Sequence, residues 1–153
     1  MKKVIIAILF SETILIFLLS GSFAGTPENS GVVTVTMTQI KPEQGGNMII
    51  ALYRSEEGWP DLEKAFLKRA ITVKADSLTA RFEAVPYDSG YAVQVFHDKN
   101  SNGKLDFRFF PFPMPKEGAG VSNNNTRNGP PLYKKAVFGH FTGNTAIRII
   151  MRY

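Results

Sequence analysis

Three stretches of the chain alternate apolar and polar side chains with a period of two, and that alternation limits what the chain can become. In the first, Val33, Val35 and Met37 interleave with Thr34, Thr36 and Thr38. In the second, Leu78, Ala80, Phe82 and Ala84 interleave with Thr79, Arg81 and Glu83. Near the end, Ile147, Ile149 and Met151 interleave with Arg148, Ile150 and Arg152. A helical repeat would scatter each apolar set around its circumference, whereas a pleated strand gathers it on one face.

The intervening stretches extend the β reading. Residues 47–54 carry Met48-Ile49-Ile50-Ala51-Leu52, apolar on both faces, as a strand in the middle of a sheet would be. Residues 71–75, 91–97 and 136–141 read as further strands, with Tyr91, Val93 and Val95 inward. Lys41 to Gly46 and Pro86 to Gly90 have turn composition. Only residues 55–70 break the pattern. After Pro60, the good helix formers of 61–68 predict one or two helical turns, with Leu62, Ala65 and Phe66 on one side and Trp59 as an anchor. The count is about seven strands with short connections, which predicts an all-β fold, an antiparallel β-sandwich with one short helical excursion.

The chain has 153 residues, and its first part does not read as sandwich. Lys2 and Lys3 precede a mostly apolar run, and Ser22-Phe23-Ala24 places small residues where a signal peptidase reads them. We expect a signal peptide over residues 1–24, a leader over 25–31 and one β-sandwich domain over 32–153. Glu12 interrupts the run, which argues against a retained anchor. The expected location is the bacterial periplasm or the exterior, with no integral membrane segment after cleavage. The chain contains no cysteine, which excludes disulfide staples and a lipid-modified N-terminus. Its net charge of +5 is dispersed, without the basic stripe of a nucleic-acid surface.

One segment carries site chemistry. In His97-Asp98-Lys99-Asn100-Ser101-Asn102-Gly103-Lys104-Leu105-Asp106, oxygen-bearing side chains recur at alternate positions. Asp98, Asn100 and Asn102 match the first, third and fifth positions of a calcium loop, Gly103 the sharp turn, Lys104 the carbonyl donor and Asp106 the ninth. Alternate spacing lets successive oxygens converge while the intervening side chains face water. The twelfth position is Phe109 instead of glutamate, so the last ligand must come from elsewhere, and Glu117 is the nearest downstream carboxylate. Ser122, Asn123 and Asn124 offer further oxygens. The expected metal set is therefore Asp98, Asn100, Asn102, Lys104, Asp106 and Glu117, holding calcium and organising the long connection 99–135. A hairpin turn at Asn102-Gly103 would explain only two of these residues.

Two other features bear on function. His97, inward beyond Val95, reads as a hydrogen-bonded brace for the loop, and the alternative is a hydrolase, carbohydrate-active in one form, using Asp98, Asp106, Glu117 and His97. No nucleophile motif supports it. The run of Phe107, Phe109, Phe110 and Phe112 among Arg108, Pro111 and Pro113 reads as rings folded back to cap the sandwich; exposed, they would bind a protein, sugar or membrane.

From His97 to Asn124 the chain resembles a bacterial exported family catalogued as domain of unknown function 2141. The resemblance rests on His-Asp-x-Asn-x-Asn-Gly-x-Leu-Asp at 97–106 and on Pro-x-Glu-Gly-x-Gly-x-Ser-Asn-Asn at 115–124. Pro113 stands where the family has glycine, and Gly90-Tyr91-Ala92 and Pro131 to Phe138 match flanking motifs. The resemblance implies a prealbumin-like or immunoglobulin-like sandwich and adds weight to Glu117 as a site residue. It implies no activity. The phenylalanines depart from the family's small, polar residues there.

Overall fold

A computed structural model describes residues 29–111, 113–124 and 129–153. The expected signal peptide and the leader up to residue 28 lie outside the described residues. In chain order the strands are β1 (Ser30–Thr38), β2 (Asn47–Tyr53), β3 (Leu67–Thr72), β4 (Leu78–Pro86), β5 (Asp88–Asp98), β6 (Phe107–Arg108), β7 (Met114–Pro115), β8 (Ala119–Val121), β9 (Phe138–His140) and β10 (Thr145–Ile150). One short helix, α1 (Tyr133–Ala136), and a few 3-10 turns complete the described residues. The fold is all-β.

Two sheets enclose the main core. One runs β10-β1-β4; the other runs β3-β2-β5-β8, with β9 added to the start of β5. The alternation in sequence explains how they meet. Val33, Val35 and Met37 of β1, Phe82 of β4 and Ile149 of β10 are buried against Met48, Ile50 and Leu52 of β2 and Tyr91, Val93 and Val95 of β5. β2 is central, as its two apolar faces require. Its other face, at Ala51 and Tyr53, packs under a second cluster with Ala92, Val121, Tyr133 and Ala136. Trp59 anchors the 55–66 excursion onto it, edge-on to Tyr53 and Tyr133, its indole N–H donating to the Pro131 carbonyl at 2.8 Å.

Several expectations are corrected. The strand pairing is not wholly antiparallel: β1 runs parallel to β10, with Val35 opposite Ile147 and Met37 opposite Ile149. No hairpin joins these two strands, so nothing forces an antiparallel course. In β4, Ala84 does not continue the inward face. It has φ of 52°, the register with β1 shifts between Gly31 and Val33, and Val85 turns inward instead. That is a β-bulge, and one extra residue flips the alternation beyond it.

The helical excursion is shorter than 61–68. A 3-10 turn covers Leu62–Lys64, and residues 67–70 are already strand. As an edge strand β3 has one sheet neighbour, so only Leu67 and Ile71 need be apolar and the helix-forming Lys68 and Arg69 are tolerated outside. Ala136 belongs to α1, not to a strand. The connection 99–135 is not one open loop either. It contains the β6–β7 hairpin and β8, which pairs with β5 through Gln94–Val121 and Phe96–Ala119. Beyond β10, Ala119 and Arg152 exchange backbone hydrogen bonds of 2.8 and 3.0 Å, tying the two sheets together.

Candidate functional site

The site forms where β5 ends. β5 lies between β2 and β8 there, so its last residues leave the sheet from a buried position: His97 and Asp98 are almost inaccessible. The His97 ring Nε2 lies 2.6 Å from the Gly45 carbonyl, and Nδ1 lies 2.8 Å from the Tyr153 hydroxyl. A carbonyl only accepts, so Nε2 carries a proton, and in the neutral ring Nδ1 accepts from the phenol. The phenol in turn accepts from the Lys41 N–H at 3.0 Å. Burial is the main reason the Tyr153 phenol titrates above its ordinary range; the Lys41 N–H works against the rise and Glu43 adds to it.

The Asp98 carboxylate turns into the loop that follows. Its Oδ1 accepts from Asn102 N–H at 3.0 Å and its Oδ2 from Gly103 N–H at 2.8 Å. Asn100 Oδ1 also accepts from Asn102 N–H, at 3.2 Å, and Asn102 Oδ1 accepts from Lys104 N–H at 2.8 Å. Asn100 Nδ2 donates to Asp106 Oδ2 at 2.8 Å, and Asn102 Nδ2 approaches both Asp106 oxygens at 3.3 and 3.4 Å. Four of the expected ligand residues, Asp98, Asn100, Asn102 and Asp106, therefore belong to one hydrogen-bonded loop. Lys104 joins it through its backbone N–H.

Glu117 meets that loop from the other side. It is buried; Oε1 accepts from Lys99 N–H at 2.9 Å and Oε2 from Asp106 N–H at 3.1 Å. Its carboxylate thus spans the loop's two ends. Lys116 N–H donates to the Asp106 carbonyl at 2.8 Å and the Lys99 ammonium to the Lys116 carbonyl at 3.1 Å, completing the closure.

The expected loop donors are all oxygen, the class that a hard cation takes: two carboxylates, two side-chain amides and the Lys104 carbonyl. Among the described residues no group of three or more His, Cys, Asp and Glu is gathered as a metal set, so the amides would have to carry much of the ligation. Their present orientation aims both NH2 groups at Asp106. Rotating either amide would aim its oxygen there, an arrangement that becomes favourable only with a cation between them.

Ser122, Asn123 and Asn124 do not join the loop. Ser122 Oγ accepts from Val93 N–H at 2.9 Å and donates to the Ala136 carbonyl at 2.6 Å. Asn123 Nδ2 donates to the Val137 carbonyl at 2.8 Å. Asn124 pairs with β10 as a strand residue would, accepting from Ile150 N–H at 2.7 Å and donating to the Arg148 carbonyl at 3.0 Å. With φ of 60° and 49°, Asn123 and Asn124 use the left-handed backbone that asparagine tolerates well. These side chains satisfy backbone; they are not spare ligands.

The sequence reading missed Gly45, Gly46 and Tyr153 as supports of the site. The Gly45-Gly46 pair hinted at a close approach, but a C-terminal tyrosine carries no such signal. The phenylalanines also depart from the expectation. Phe109 and Phe110 are 76% and 89% exposed, Phe107 and Met114 41% and 45%, and none packs in either apolar cluster. They cannot cap the sandwich from there. Phe112 lies outside the described residues.

Residues 33–148 match the model of a family described as "Uncharacterized protein conserved in bacteria (DUF2141)". No curated protein and no solved structure matches the chain. Among the described residues no helix is long and apolar enough to cross a membrane.

Proposed function

The chain belongs to this bacterial family, DUF2141, and from that premise we propose that it is an exported binding or accessory module. In this reading a prealbumin-like or immunoglobulin-like sandwich carries a loop that calcium stabilises, so that residues 99–117 present a fixed surface. The observation that carries it is the convergence of Asn100 and Asn102 on Asp106, on a loop whose entry is locked by Asp98. Calcium would be held by Asp98, Asn100, Asn102, the Lys104 carbonyl and Asp106, with Glu117 bracing the loop ends or adding an oxygen. The signal-like N-terminus supports export.

The hydrolase reading is less well supported. All four oxygens of Asp98 and Glu117 accept backbone N–H groups, and both His97 nitrogens are engaged. A general acid or base must instead reach a substrate.

Calorimetric titration with calcium, paired with melting in calcium and in chelator, tests the proposal. With so few carboxylates the expected Kd is about 10⁻⁴ M or weaker. Calcium at ten times Kd then stabilises by about 1.4 kcal/mol. Asp106→Ala should remove that increment while costing little in chelator, because the bonds it loses are exposed. Absence of both heat and a melting shift in the parent protein would end the calcium reading.

A further inference from the structure

We propose that the β6–β7 hairpin is a docking element for the surface of an anionic phospholipid bilayer. The proposal rests on the reading of residues 99–117 as a presented surface, but not on calcium. β6 and β7 pair for only two residues each, Phe107 with Pro115 and Arg108 with Met114, in a two-stranded ribbon separate from the two larger sheets. Phe109 and Phe110 follow β6 directly and are the two most exposed large apolar side chains among the described residues. Phe107 and Met114, in the ribbon itself, add to the exposed apolar surface. An apolar patch of this kind costs solubility unless something covers it.

Charge selects the cover. Across residues 99–116 the cationic side chains are Lys99, Lys104, Arg108 and Lys116, against Asp106 as the sole acid. Asp106 is half-buried and hydrogen-bonded to the asparagine amides, and the next carboxylate, Glu117, is buried under backbone N–H groups. Among the described residues none of the four cations is in an ion pair. Exposed aromatic rings flanked along the chain by cations outside any ion pair match the acyl boundary of a bilayer beneath its phosphate layer: phenyl rings enter the apolar region and ammonium and guanidinium groups meet phosphate. A sugar platform would instead want neutral hydrogen-bonding side chains beside the rings. The hairpin's base is held rigid by Lys116 N–H on the Asp106 carbonyl, so docking orders little chain.

The test is co-flotation of the full mature protein with vesicles of phosphatidylcholine alone and of phosphatidylcholine mixed with phosphatidylglycerol. Binding is expected on the anionic vesicles only. The double variant Phe109→Ser, Phe110→Ser should lower partitioning at least about tenfold, and Arg108→Gln and Lys116→Gln about fivefold each. These side chains support no core, so melting temperatures should be unchanged. No partitioning, equal partitioning onto neutral vesicles, or retention by the double serine variant would each overturn the inference. Self-association in sedimentation velocity that the serine variant abolishes, without vesicle binding, would overturn it in favour of a second copy as occupant. Repeating the flotation in chelator separates the two readings. Binding that persists there stands even if calcium titration is silent.

Discussion

Gly46 shows how one residue can set the site. Its φ is 72°, and a Cβ there would lie 2.2 Å from the Asp98 carbonyl oxygen and 2.7 Å from the Lys99 Cα. Both are backbone atoms, so no side chain can swing aside. Gly46→Ala should therefore destabilise the fold by more than about 2 kcal/mol, through strain at positive φ and displacement of the loop entry. Chemical denaturation measures this, and a loss below about 0.5 kcal/mol would mean the turn moves freely. Tyr153 is the complementary case. Tyr153→Phe leaves buried His97 Nδ1 and the Lys41 N–H without their partner, which should cost about 1–3 kcal/mol.

Carboxylates and hydroxyls join the elements around the loop to one another. Glu117 receives Lys99 N–H and Asp106 N–H on separate oxygens. Glu117→Gln keeps the shape but aims an NH2 at one of those donors. It should lose about 1–3 kcal/mol and speed hydrogen exchange at whichever of the two amides faces the NH2. Unchanged exchange at both would mean that the loop is held by other contacts. Ser122 links β5 to α1 in the same manner, and Ser122→Ala should cost about 2 kcal/mol, because Val93 N–H and the Ala136 carbonyl both lie in the buried interior. The Ser-Asn-Asn run at 122–124 thus has a structural office. Its side chains replace backbone partners along β5, α1 and β10.

The two sheets and their covering cluster enclose several phenols, and this gives the molecule an alkaline limit. Burial raises Tyr53, Tyr91, Tyr133 and Tyr153 above the ordinary phenol range, with Asp61 adding to the rise at Tyr53. Tyr53 donates to Gln94 Oε1 at 3.2 Å, Tyr91 to the Pro86 carbonyl at 2.8 Å and Tyr133 to the Gly90 carbonyl. The folded state holds these protons more tightly than the unfolded chain. Their contribution is therefore fully present below the unfolded phenol value of about 10 and lost as pH rises above it toward the folded values. Denaturant titrations should show stability level up to about pH 9 and falling from about pH 10 to about pH 12, less steeply in Tyr53→Phe. Flat stability across that window would refute the assignment.

Much of this was determined by the sequence alone. Period-two alternation assigned the inward faces of β1, β5 and β10 because side-chain direction along a strand is a local consequence of the pleat. The spacing from Asp98 to Asp106 marked the loop because short-range backbone closure around oxygen donors is local too. His97 as a brace followed from the same alternation. Only the tertiary structure could decide the rest. The bulge at Ala84, the parallel pairing of β1 with β10 and the early start of β3 depend on which strands become neighbours, and that is set by burial across the whole chain. Ser122, Asn123 and Asn124 serve backbone groups on α1, β5 and β10, or just past α1, up to 29 positions away. The exposure of Phe109 and Phe110 likewise could not be read locally, since an aromatic run looks the same whether a core is within reach or not. The loop was legible as chemistry; what holds its ends, and what it carries outward, emerged only when distant segments met.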